Sequence, residues 1–209
     1  MYDNLLAYCL TNSEEEPEVL KEIKRITYLS VIHPRMLCGP LIGNLLKLLC
    51  VIKQPKRVLE IGTFTGYSAV YMAMGIPANS YIDTIEIDVE LEDIIKRTIS
   101  HSGYAHKINV HFGDALNIIP TLKDSYDFVF IDGDKRKYID FYQAVFPKLP
   151  PHAIIVADNV LWDGHVLDPA NKESQTLGLK KFNDYIKKDT RVENVLLPLR
   201  DGINLIVKL

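Results

Sequence analysis

Cysteine is scarce in this chain. Cys9, Cys38 and Cys50 are the only three among 209 residues, and none stand in C-x-x-C spacing. An odd, unpatterned set suits neither a disulfide frame nor a thiolate zinc site and reads as reduced thiols in a cytoplasmic protein. The opening stretch MYDNLLAYCLTNSEEEPE lacks both a basic segment and a small-residue cleavage site, so no signal peptide is expected. Long apolar runs are missing as well. The longest, PLIGNLLKLLCVI, is interrupted by Asn44 and Lys47 and is read as too short to cross a membrane. There are no repeats, low-complexity tracts or Gly/Ser linkers. A net charge of -3 gives no general attraction to nucleic acid, leaving only local basic clusters at 134–137 and Lys187–Lys188. The six histidines show no metal-ligand spacing.

What remains is ordinary globular composition, 47% hydrophobic and 24% charged. The length suits one domain, with N-terminal helices over 1–52 and a core over 53–209. In the first part, 17–32 and 39–52 read as helices that pack on a sheet or form a dimer face. From Lys56 onward, β-type runs alternate with helical periodicity. Strands are expected at 57–61, 81–87, 107–112, 126–132, 152–158, 192–198 and 204–209. Between the second and third, 91–103 reads as a helix closed by Gly103. Apolar strands alternating with helices imply an α/β fold, a doubly wound, mostly parallel sheet with helices on both faces. The last two of the seven strands are joined by LRDG, which allows only an antiparallel hairpin.

The first loop at the strand carboxyl ends is GTFTG, 62–66. A dinucleotide fingerprint would need glycine where Phe64 stands, so bulky side chains crowd the phosphate position. Glu60 would repel a diphosphate and attract an ammonium group. The ligand therefore reads as nucleoside-like and cationic, which S-adenosylmethionine satisfies. Glu86, ending the second strand in IEID, is placed to accept ribose hydroxyls; a solvated strand-end acid is the plainer reading. GDA at 113–115 is placed against the adenine edge, and Asp114 also suits a helix N-cap.

Asp132 ends the fourth strand, and Asp158 with Asn159 ends the fifth. Neighbouring parallel strands bring such residues to one rim. An all-oxygen set suits a hard cation, Mg²⁺ first, with Ca²⁺ or Mn²⁺ as alternatives. A cation beside a sulfonium donor suits methylation of a hydroxyl, by lowering that hydroxyl's pKa and fixing its oxygen. Lys135 would remove the proton, which requires its pKa to fall from about 10.4; a surface charge is the bland alternative. His165, within the polar segment 163–176, is a candidate for an acceptor-side lid. Trp162 reads as packing or as a flank for an aromatic acceptor, and Asp201 as turn chemistry.

LEIGTFTGYSA, IEID, FIDGDKRKY, ADNVLWDG and LRDGINLIVKL, taken in order, resemble the metal-dependent class I O-methyltransferases, a family that includes caffeoyl-CoA and catechol O-methyltransferases. The resemblance implies a Rossmann-like fold and a homodimer. It also implies cofactor contacts at Cys38, Glu60, Gly62, Thr63, Ser68, Glu86 and Ala115, with Asp132 and Asp134 beside them. Asp132, Asp158 and Asn159 would be the metal ligands and Lys135 the catalytic lysine. The acceptor is expected to be a small catechol, phenol or vicinal diol. A tRNA hydroxyuridine, held by Arg136, Lys137, Lys187 and Lys188, is the competing acceptor, and a cofactor-binding protein without activity is the non-enzymatic alternative.

Overall fold

The computed structural model of the protein describes residues 2–209. Seven strands, β1 (Arg57–Ile61), β2 (Tyr81–Glu86), β3 (Ile108–Phe112), β4 (Phe128–Ile131), β5 (Ile154–Asp158), β6 (Val192–Leu197) and β7 (Ile203–Lys208), form one sheet in the order β3-β2-β1-β4-β5-β7-β6. β1 through β5 are parallel neighbours, and β7 runs antiparallel to both β5 and β6. The expected layout is thus observed, including the closing hairpin. Strand order reverses between β1 and β4, which is where a doubly wound sheet opens a crevice at its carboxyl edge.

Among the described residues the α-helices are α1 (Tyr2–Thr11), α2 (Glu18–Ser30), α3 (Gly39–Lys53), α4 (Tyr67–Gly75), α5 (Glu92–His101), α6 (Ala115–Ile118), α7 (Tyr138–Val145) and α8 (Ser174–Lys188). Period-two alternation in β1 divides the core. Val58 packs with α2, α3 and α4 on one face, while Leu59 and Ile61 pack with α7 and α8 on the other. Helix α5 buries Ile95, Thr98 and Ile99 at helical spacing, and Gly103 follows it with φ 80°.

Helix α1 was not expected from the sequence. Residues 34–53 are also long and apolar enough to span a membrane by length and composition, contrary to the sequence reading. In the fold they make a short turn, Pro34–Met36, and then α3, a core helix whose Ile42, Leu46 and Cys50 are fully buried. Gly43 of α3 lies against the Tyr71 ring of α4, so the packing reading of this helix holds.

Candidate active site

Gly62 begins the loop after β1 at φ 103°. A Cβ there would come within 2.3 Å of the Asp132 carbonyl oxygen, so only glycine permits the approach. Its N–H donates to Ile85 O (2.9 Å), and Asp132 N–H donates to Ile61 O (2.9 Å). The ends of β1, β2 and β4 are thereby tied into one rim. At the next turn Phe64 sits at φ 51°, and its N–H donates to Glu86 Oε2 at 2.7 Å. That amide therefore faces a carboxylate of the protein itself.

Glu86 is buried, and its Oε1 accepts from Asp88 N–H at 2.9 Å. Burial raises its pKa, while these backbone bonds oppose the rise. Thr63 Oγ1 and Thr84 Oγ1 lie 2.6 Å apart and fix the loop on β2. Asp114 caps α6 by accepting from Leu116 N–H (2.9 Å), and the buried Ala115 lies on the cleft wall beside it. The capping reading of this turn holds.

Glu60 corrects the sequence reading. It shares its face of β1 with Val58, fully buried beneath the start of α4, and is absent from the cleft wall. Ser68 Oγ donates to its Oε1 and Thr84 Oγ1 to its Oε2, both at 2.5 Å. Burial pushes its pKa up to about 8 against those two bonds, with the charges of Asp132 and Glu86 adding to the rise. Ser68 does line the cleft. Glu60 therefore reaches the cavity only through hydroxyls, directly by Ser68 and at one remove by Thr84 and Thr63.

The second half of the site follows from register. Ile131 pairs with Ala157, so the next residues, Asp132 and Asp158, leave adjacent strands side by side, about 4.8 Å apart in the sheet. Asp158 is buried, and its pKa is raised to about 7 by that burial and then by Asp132. Lys135 Nζ donates to Asp132 Oδ1 at 2.7 Å. Burial works to lower the lysine pKa, but Asp132 outweighs it, with Tyr138 adding, and holds the ammonium above its ordinary value. A lysine already poised as a base is therefore not observed. Nor is it a surface charge, being 7% exposed.

Among the described residues, no three histidine, cysteine, aspartate or glutamate side chains are grouped to hold a metal ion. The set at this rim is two carboxylates and one amide. Asn159 has φ 58°, and its Nδ2 donates to Asp201 Oδ2 at 3.3 Å. Two neighbouring acids and an amide on one cavity wall could offer oxygen ligands to a hard cation.

Both halves open into one cavity of about 1210 Å³. Cys38, Gly62, Thr63, Ser68, Glu86 and Ala115 line it, as do Asp132, Asp134, Lys135, Asp158 and Asn159. Cys38 is buried, and its thiol pKa is driven well up by that burial, with Asp158 and Asp132 contributing. Arg35, Tyr67, Gln175 and Arg200 also line the cavity and were not read as site residues, although Tyr67 and Arg200 stand within LEIGTFTGYSA and LRDGINLIVKL. Trp162 is on the wall, whereas His165 is exposed and off it, hydrogen-bonded to Asn171 at 3.3 Å. Of the basic cluster, Arg136 is bound to Asp134, whose pKa it lowers, and Lys137 to Asp114 at 2.9 Å.

A family model described as O-methyltransferase matches residues 10–209. The chain belongs to the O-methyltransferase family. It is 33% identical over 170 residues to a catechol O-methyltransferase of Niastella koreensis, covering 79% of this chain and 77% of that one. It is 32% identical to the caffeoyl-CoA O-methyltransferase of Stellaria longipes, with coverage of 96% and 88%. Among solved structures, the O-methyltransferase TomG of Streptomyces achromogenes, in complex with SAM and involved in tomaymycin synthesis, superposes with a TM-score of 0.90 at 27% identity, over 97% of this chain and 94% of that one. The SAH-bound Podospora anserina methyltransferase PaMTH1 gives 0.92 at 26%, over 100% and 95%. These methyltransferases thus share the fold of this chain over nearly its whole length.

Proposed function

We propose that the cleft binds S-adenosylmethionine and, with a divalent cation, moves its methyl group to a hydroxyl of a small catechol, phenol or vicinal diol. The observation that carries this reading is the shared rim. Asp132 and Asp158 stand together beside Asn159, in the cavity that Gly62, Ser68 and Glu86 also line. Glu86 keeps lone pairs on both oxygens for ribose hydroxyls, and its backbone bonds hold them in place. Ser68, fixed by Glu60, offers its hydroxyl oxygen as an acceptor for the amino acid end of the donor. Cys38 and Ala115 add apolar surface to the walls.

Asp132, Asp158 and Asn159 would hold the cation, whose chemistry there is to stabilise the acceptor oxygen as its anion. Lys135, beside Asp132, would take the hydroxyl proton only after its ammonium has given a proton to solvent. Asp132 controls when it can do so, because the 2.7 Å pair keeps the amine protonated. Neutralising Asp132 removes that hold.

The test is methyl transfer from S-adenosylmethionine to a panel of catechols, with Mg²⁺ and with EDTA. Product that forms with Mg²⁺, vanishes with chelator and returns on adding metal supports the reading. Equal rates under chelation refute the cation. Methylation confined to tRNA would favour the competing acceptor, although Arg136 and Lys137 would first have to leave their carboxylate partners.

A further inference from the structure

Asp201 lies on the turn between β6 and β7, 42 residues from Asn159, and its carboxylate reaches across to the loop that follows β5. Oδ2 accepts from Asn159 Nδ2 at 3.3 Å, and Oδ1 accepts from Asp163 N–H. The two backbones are laced together as well. Val160 N–H donates to Gly202 O (3.1 Å) and Leu161 N–H to Asp201 O (2.9 Å). The loop so held is an unusual one. Asn159, Trp162 and Asp163 have φ of 58°, 49° and 49°, a conformation that side-chain-bearing residues keep only where their surroundings impose it.

We propose that Asp201 is a positioning residue for Asn159, setting which end of its amide faces the rim where Asp132 and Asp158 stand; the proposal rests on the cation reading above. An amide is nearly symmetric in shape but not in charge. Its oxygen attracts a cation and its NH₂ repels one. A carboxylate has only acceptors, so Asp201 selects the orientation with NH₂ toward itself and the oxygen turned away. Asparagine at 201 has nearly the same shape but one acceptor and one donor end. It cannot accept from both Asn159 Nδ2 and Asp163 N–H, so the selection is lost while the turn is kept. Turn chemistry alone, the reading from sequence, does not require an acid whose two oxygens serve two separate positions of another loop.

The experiment measures Mn²⁺ and S-adenosylhomocysteine binding to the full chain by calorimetry, for wild type, D201N, N159A and the double variant. D201N is expected to weaken Mn²⁺ binding about 10- to 100-fold, the scale seen when a group orienting a metal ligand is lost. Binding of S-adenosylhomocysteine should stay within about twofold, because Gly62, Ser68 and Glu86 are untouched. In the N159A background D201N should add nothing, since the residue it acts through is gone. Unchanged Mn²⁺ affinity in D201N overturns the proposal. So does a double variant weakened by the product of the single effects, which would mean that Asp201 acts independently of Asn159. If D201N folds poorly, D201S, which retains one acceptor, is put through the same comparison and judged by the same outcomes. A wild-type chain that binds S-adenosylhomocysteine but no Mn²⁺ refutes the cation reading itself, and this proposal with it.

Discussion

Substituting Gly62 by alanine tests the rim directly. Two costs add. A side chain at φ 103° sits in left-handed territory, at about 1–2 kcal/mol. The new methyl would also lie 2.3 Å from the Asp132 carbonyl oxygen, about 0.7 Å inside the 3.0 Å that real contacts respect. That oxygen is backbone, and the neighbouring Asp132 N–H is bonded to Ile61. The overlap is relieved only by parting the ends of β1 and β4, at about 1–3 kcal/mol. The sum, about 2–5 kcal/mol, lowers the melting temperature by about 4–20 °C in a chain this long. It also moves Asp132, and a shift approaching 1 Å at a reacting centre costs about 100-fold in rate. Gly103→Ala is the matched control, with φ 80° and open space where the methyl would go. Thermal unfolding followed by circular dichroism, with methyl transfer alongside, reads both effects. If G62A melts with G103A and turns over like wild type, the Gly62–Asp132 contact is not what shapes the site.

Two further outcomes follow from the buried charges. Glu60, raised to about 8, holds a proton in the folded protein that the unfolded chain releases near pH 4. Its contribution therefore makes the fold most stable on the acid side and declines as pH rises from about 4 to 8, by up to about 1.4 kcal/mol per pH unit. Glu60→Gln removes that slope, although Asp158, raised to about 7, keeps its own share; parallel melting curves for wild type and E60Q between pH 5 and 9 would contradict this. Lys135→Ala leaves Asp132 without its cation next to Asp158, at about 3–5 kcal/mol. It should lower kcat about 10²- to 10⁴-fold, and added Mg²⁺ should raise its melting temperature more than that of wild type. An active, stable K135A would remove the lysine from the mechanism.

The sheet was legible because burial on two faces leaves β-branched and aromatic runs, such as FVFI and IIVAD, that no other element explains. The rim was legible for the same reason: an acid that ends such a run has nowhere to go but the carboxyl edge. Helix α1 left little trace, since Leu5 and Tyr8 are exposed and contribute little to the core. Glu60 was misplaced because its position was read from nearness to the loop. Counting the alternation from Val58 turns it under α4 instead. The role of Lys135 was legible as a location, but its proton affinity depends on a 2.7 Å contact that no spacing discloses. Asp201 was hidden most completely, since its partners come from the loop after β5, tens of residues earlier.

The chain contains a single tryptophan, and the fold puts it on the cleft wall, with the Lys135 ammonium 6.0 Å from its ring. Nearly all the indole emission of the molecule thus originates at one address. Occupancy of the cavity, or loosening of the Asp132–Lys135 pair, changes the field and solvent around the fluorophore. The protein is its own optical titration probe, and label-free stopped-flow can time ligand arrival at the rim.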